Sequence, residues 1–242
     1  MSYIIEIATS DIITTQSAVA GGADRIELCA NLAEGGTTPS IGTIIKCREA
    51  FHVQLYPIIR PRGGDFLYTN EEFEIMLQDV KQCKTLGCDG VVIGMLLADG
   101  SIDVASCSKL VEAAYPMGVT FHRAFDRCKD PFAALEQIIE MGCERILTSG
   151  QMPSVVDGAS LVASLNKKAE NRIIIMPGSG VRKENIKMLA TQTGCIEFHS
   201  SLRGKSKSRM QFMHPKFLNS EETNWNNAIE AEAVRQLRKA LS

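Results

Sequence analysis

Apolar residues along this chain gather in short bursts, and four of the bursts are introduced by the same phrase: a glycine, a small residue, usually an acid. The phrase reads Gly22-Ala23-Asp24-Arg25-Ile26-Glu27-Leu28, then Gly87-Cys88-Asp89-Gly90-Val91-Val92-Ile93. It returns as Gly142-Cys143-Glu144-Arg145-Ile146-Leu147 and, more loosely, as Gly194-Cys195-Ile196-Glu197-Phe198-His199. Each copy describes a helix that stops on glycine, the residue free to turn left-handed, followed by a short strand. The copies begin 52 to 65 residues apart, which leaves room for one more strand–helix pair between each. Four such units predict eight strands alternating with eight helices, an α/β chain folded as a single (β/α)8 TIM barrel over residues 1–242.

The remaining pattern fills in that frame. Strands are predicted at Tyr3–Ala8, Arg25–Cys29, Val53–Arg60, Gly90–Gly94, Val119–Ala124, Arg145–Thr148, Ile173–Met176 and Ile196–His199. Ser10 is the expected cap of the first helix and Asn70 of the third, where Phe73, Met76, Leu77 and Val80 make one apolar face. Asp130-Pro131 opens the fifth helix with a cap and a first-turn proline. Ile229, Ala233, Leu237 and Leu241 mark the last helix, and before it a segment of about 200–224 fits neither period.

Side chains alternate across a strand, so the apolar parity marks the face packed on helices and leaves the other face inside the barrel. This sends Glu6, Glu27, Cys29, Arg60, His122, Glu197 and His199 inward. Two readings of that convergence stand. One is an internal ion-pair network in which Arg60 neutralises the glutamates. The other is a site at the carboxyl ends of the strands, where barrels of this kind carry their chemistry. Thr148-Ser149-Gly150 and Gly178-Ser179-Gly180, after strands six and seven, present backbone N–H groups where phosphate commonly binds, or are plain turns. Arg60, Arg62, Arg123 and Arg203 suit an anionic ligand, or pair with Asp65, Asp126 and the glutamates. An enzyme would use Glu27 and His122 as acid and base, with Glu6 and Glu197 beside them.

Composition narrows the partners. A net charge of −2 without basic excess disfavours nucleic acid. No apolar run is long enough to cross a bilayer, and the first residues lack the basic and apolar regions of a secretory signal. Eight cysteines without a Cys-x-x-Cys pair point to a reducing cytoplasm. Cys88, Cys143 and Cys195 occupy one position of the repeat and read as small packing residues. The predicted inward positions hold no lysine for Schiff-base chemistry, and the sequence has no Gly-x-Ser-x-Gly elbow.

Asp24-Arg25-Ile26-Glu27-Leu28-Cys29 followed by Leu32-Ala33-Glu34-Gly35-Gly36-Thr37-Thr38-Pro39-Ser40 resembles the CutC-type copper homeostasis family. So do Ile59-Arg60-Pro61-Arg62-Gly63-Gly64-Asp65-Phe66 and Val119-Thr120-Phe121-His122-Arg123-Ala124-Phe125-Asp126. The later matches are Arg145-Ile146-Leu147-Thr148-Ser149-Gly150, Met176-Pro177-Gly178-Ser179-Gly180 and Glu197-Phe198-His199; the segment beyond strand eight departs from the family's pattern. The resemblance implies a cytoplasmic TIM barrel, a homo-oligomer and Cu(I) as ligand. Cu(I) prefers soft donors. Cys29, in the Glu-Leu-Cys motif at the mouth, is the lead copper ligand, with Cys47, Cys128, Met210, Met213 and His214 as further soft or borderline donors. The inward Glu, Arg and His groups instead suit a small anionic or phosphorylated metabolite. A copper protein, a metabolite enzyme and an interaction scaffold are the three functions left open.

Overall fold

The structure is a computed structural model describing residues 3–218 and 224–241. Met1, Ser2, residues 219–223 of the predicted irregular segment and Ser242 lie outside it. The strands are β1 (Ile4–Thr9), β2 (Arg25–Leu28), β3 (Gln54–Pro57), β4 (Gly90–Ile93), β5 (Gly118–Phe121), β6 (Arg145–Thr148), β7 (Ile174–Pro177) and β8 (Glu197–Ser200). They alternate with α1 (Ile12–Ala20), α2 (Ile41–Ala50), α3 (Asn70–Thr85), α4 (Val104–Ala114), α5 (Pro131–Glu140), α6 (Val155–Ala169) and α7 (Ile186–Thr193). A final helix, α8 (Ala231–Lys239), packs on α1.

All pairing in the ring is parallel, as two four-stranded arcs in the orders β3-β2-β1-β8 and β4-β5-β6-β7. One seam is joined by a parallel bridge between Ile58 and Val92, with the Ile59 N–H on the Val92 carbonyl at 2.8 Å. At the other seam β7 lies beside β8. The outer faces of the strands, with Ile26, Leu28, Phe121, Ile146 and Phe198 fully buried, pack on the helices and form the main apolar core.

Helix starts follow their side-chain chemistry, with two shifts from expectation. Asp11 rather than Ser10 caps α1, because a carboxylate reaches the Thr14 N–H at 2.7 Å. Thr69 rather than Asn70 caps α3, in a reciprocal box with Glu72. The segment predicted as irregular contains β9 (Gly204–Lys207), which pairs antiparallel with β10 (Trp225–Ala228) just past its end. That pairing joins stretches some twenty residues apart, so no local period announces it.

Inside the lower half of the ring lies a layer of charge. Arg25 donates to Glu6 and to Glu197 at 2.5 Å each, and Arg145 donates to Glu197 at 2.9 Å and to Thr120 at 3.2 Å. Both guanidiniums stand over the Tyr56 ring, 5.4 and 5.5 Å from its centre. The internal ion-pair network therefore exists, but its cations are Arg25 and Arg145 rather than Arg60.

Removing one partner of such a buried network strands the other charges. Arg25→Met is expected to cost about 3–5 kcal/mol, read as the shift in urea unfolding free energy. A loss below about 1 kcal/mol would mean that Arg145 alone satisfies both glutamates.

Candidate functional site

Above the ionic layer, at the carboxyl ends of the strands, the barrel opens into a cavity of about 190 Å3. This is below the roughly 300–1,000 Å3 usual for drug-sized ligands, so it fits a small one. Glu27, His122 and His199 line its inner part, and Arg60, Phe66, Arg123, Ser179, Gly180, Arg182, Ser201 and Arg203 its walls and rim.

Glu27 comes from β2, in register with Ala8 of β1, and His199 from β8, in register with Glu6. That register stacks three titratable groups. His199 Nδ1 lies 2.7 Å from Glu6 Oε1, and its Nε2 lies 3.6 Å from Glu27 Oε2. Burial opposes the charge on Glu6, yet Arg25 and His199 hold its carboxyl down at about 2. Burial pushes Glu27 up, reinforced by the charge of Glu6 against the pull of His199. His199 is raised against its own burial by the carboxylates of Glu27 and Glu6. Glu6 and Glu197 are thus fixed in the ionic layer below the cavity, not part of its lining.

His122 is arranged differently. Its Nδ1 accepts the Ala124 N–H at 3.1 Å, and its ring packs against Phe66, tilted by 45° with centres 4.9 Å apart. A Cβ on Gly94 would fall 2.5 Å from the ring, so glycine at the end of β4 is what makes room for it. Burial and the Arg60 guanidinium press its pKa down to about 3. Glu27 therefore has His199 rather than His122 as its titratable neighbour, and His122 stays neutral.

Arg60 is pinned by carbonyls: Nη1 donates to those of Glu34 and Gly36 at 2.9 and 2.7 Å, and Nη2 to that of Gly64 at 2.8 Å. It forms no ion pair among the described residues, so its charge is felt by the cavity. Arg62 and Asp65 do not line this cavity. Arg62 donates to Glu72 at 2.6 Å and stacks on Tyr68, and Asp65 borders a neighbouring hollow beside Arg60 and Arg127.

The two Ser-Gly turns diverge. The Ser149 and Gln151 N–H groups both donate to Asp126, and the Gly150 N–H donates to the Thr148 hydroxyl. Asp126, also bound to Arg123 at 2.7 Å, occupies the place where an anion was expected on Ser149 and Gly150. The Gly178 N–H is used in the ladder, on the Thr148 carbonyl. The Ser179 and Gly180 N–H groups donate to no group among the described residues, and both residues line the cavity with Arg182 and Arg203. Arg203 donates to the Leu32 carbonyl across the mouth at 2.8 Å.

Cys29 points inward as the parity requires, but it does not line the cavity. It is 1 % exposed, packed with Tyr56, Ile58 and Val92, and burial together with Glu27 pushes its thiol well above the ordinary value. Cys47 donates to Thr15 at 3.7 Å, and Cys128 lies against Gln151. Met210, Met213 and His214 line a separate surface hollow. Among the described residues no three His, Cys, Asp or Glu groups are arranged to hold a metal ion. A protonated thiol in an apolar cluster beside carboxylate, imidazole and guanidinium groups is a poor donor set for Cu(I).

The residues that sequence reasoning passed over are Arg25, Arg145, Arg182 and Ser201. Arg25 and Arg145 have the parity of Glu27 and Leu147, so alternation carried to the first residue of each strand finds them. Nothing in the local pattern marks Arg182 or Ser201.

A model of the CutC family matches residues 3–204, ending where β9 begins. The family protein CutC of Chromobacterium violaceum is 47% identical over 244 residues, covering 100% of this chain and 99% of its own. The solved structure of a CutC from Streptococcus agalactiae, named for copper homeostasis, superposes with a TM-score of 0.79 at 32% identity, over 82% of this chain and 98% of that one. Phosphoribosylanthranilate isomerase of Thermotoga maritima, at 11% identity and a TM-score of 0.61 over 100% and 98%, shares the fold alone. No described helix is long and apolar enough to cross a membrane.

The depressed Glu6 carboxyl fixes the sign of the acid response. Its contribution to stability is complete above the unfolded value of 4.5 and is lost as pH falls towards about 2. Urea unfolding between pH 5 and about 2 should therefore show a falling free energy whose slope is reduced in Glu6→Gln.

Proposed function

The chain belongs to the CutC family, and from that premise we propose that it serves copper homeostasis through a barrel mouth that binds a small anionic, phosphorylated metabolite. The copper part of this reading rests on the family and on the name its S. agalactiae relative carries. The anionic part rests on one observation: Ser179 and Gly180, whose N–H groups are unused, line the cavity together with Arg182 and Arg203, beside the buried Glu27–His199 pair. Backbone donors after the seventh strand with arginines beside them suit a phosphoryl group. Glu27 is then a buried carboxylate of the same cavity able to exchange a proton with the bound ligand, with His199 beside it. A cytoplasmic address and a homo-oligomer belong to the same family reading; eight free, buried cysteines support the first.

Direct Cu(I) binding is the second reading, and the Glu-Leu-Cys motif that carries Cys29 favours it. Against it stand the protonated thiol and the hard donors around it.

Calorimetric titration with inorganic phosphate distinguishes the two. Binding is expected in the reduced protein, weakened about tenfold in Arg182→Gln and in Arg203→Gln, as the loss of one charge-assisted hydrogen bond requires. In an anaerobic Cu(I) competition against a chromogenic chelator, Cys29→Ser is expected to behave as the parent. Copper held by the parent at sub-nanomolar free metal and lost in Cys29→Ser would overturn the anionic reading in favour of the second.

A further inference from the structure

The His122 imidazole, in the wall of the cavity, carries an unused donor. The Ala124 N–H, which can only donate, lies 3.1 Å from Nδ1, so Nδ1 bears the lone pair and the ring proton sits on Nε2. Nε2 is buried and has no hydrogen-bond partner among the described residues, although the side chain is only 3 % exposed and lines the cavity. Gly94 leaves room for the ring and Phe66 packs against it. An unpaired buried donor is unfavourable. A developing oxyanion in the cavity would pair it.

Resting on the anionic reading of the same cavity, we propose that the site abstracts a proton from the carbon beside a carbonyl in a small phosphorylated hydroxyketone or hydroxyaldehyde. Glu27 is the base and the His122 Nε2–H is the donor to the carbonyl oxygen. The Glu27 carboxylate takes the carbon-bound proton, and the C–H electron pair becomes the C=C bond of an enediolate. The carbonyl π pair moves onto oxygen, and that charge is met by Nε2–H. Return of the proton to the same carbon gives exchange with solvent. Return to the neighbouring carbon, with the hydroxyl proton passed to the first oxygen, gives the isomer. No oxidant, reductant or second substrate enters.

The supporting groups have matching roles. His122 remains neutral because burial and Arg60 press its pKa to about 3, so what it offers the oxygen is the weakly acidic N–H of a neutral imidazole. Burial makes Glu27 a stronger base than an exposed glutamate. His199, 3.6 Å from Glu27 and 2.7 Å from Glu6, is a positioning residue that orients the base. Ser179, Gly180, Arg182 and Arg203 anchor the phosphoryl end.

Two measurements on the reduced full chain test this. In 15N-resolved imidazole spectra of the free protein, Nε2 of His122 is expected to carry the proton and Nδ1 to be bare from pH 5 to 9. In calorimetry, phosphoglycolohydroxamate, which mimics the enediolate, is expected to bind at least about 100-fold more tightly than inorganic phosphate, the lower range for such analogues. His122→Phe is expected to weaken the hydroxamate about 30-fold or more and inorganic phosphate less than threefold. A proton on Nδ1, or hydroxamate binding indifferent to His122→Phe, overturns the proposal. Phosphate bound normally with the hydroxamate no tighter overturns it while leaving the anionic reading in place. A parent protein that binds neither overturns both. Should His122→Phe not fold, the tautomer and the hydroxamate-to-phosphate ratio in the parent decide.

Discussion

Four charged side chains in the lower half of the barrel constrain everything above them. Ionised groups in a protein interior are tolerable only when their partners are in place. Glu6, Arg25, Arg145 and Glu197 meet that condition with each other and with Thr120, while Tyr56 lies flat beneath both guanidiniums. A barrel interior is more usually filled by branched apolar residues. Here part of that layer is electrostatic, and it fixes where Glu6 stands.

Glu6 connects the layer to the site. One of its oxygens binds Arg25 and the other binds His199. The ionic layer thereby keeps Glu6 charged, Glu6 with Glu27 keeps His199 raised, and His199 holds the Glu27 carboxylate in the cavity. Elsewhere in the cavity wall a cation without a carboxylate partner, Arg60, works with burial to keep His122 neutral. Two histidines of one cavity are pushed in opposite directions because one faces carboxylates and the other faces a guanidinium.

Much of this is readable in the sequence, and the unreadable part has a physical pattern. Strand alternation gives the inward set Glu6, Glu27, His122, Glu197 and His199, because parity is a local property. The glycine-led repeat gives the barrel for the same reason. Which inward groups pair is a matter of register between strands far apart in the chain: Arg145 and Glu197 meet across β7, so local reading favoured Arg60 as the counter-ion. The fate of backbone donors is equally nonlocal. Thr148-Ser149-Gly150 and Gly178-Ser179-Gly180 look alike as sequence, yet Asp126 from another loop occupies the first and not the second. Cys29 has the right parity for a ligand, but Leu32, Ile58 and Val92 enclose it.

The two seams give the ring a mechanical character. The hydrogen-bonded ladders make two rigid half-shells, and Arg145 on one reaches Glu197 on the other, a rivet through the seam between β7 and β8. Mobile ions screen exposed charges strongly and buried pairs much less. Rising ionic strength therefore leaves the rivet intact while weakening the pull of Arg182 and Arg203 on whatever approaches the mouth. The same residue type thus serves as a salt-resistant fastener inside the shell and a salt-sensitive lure at its rim.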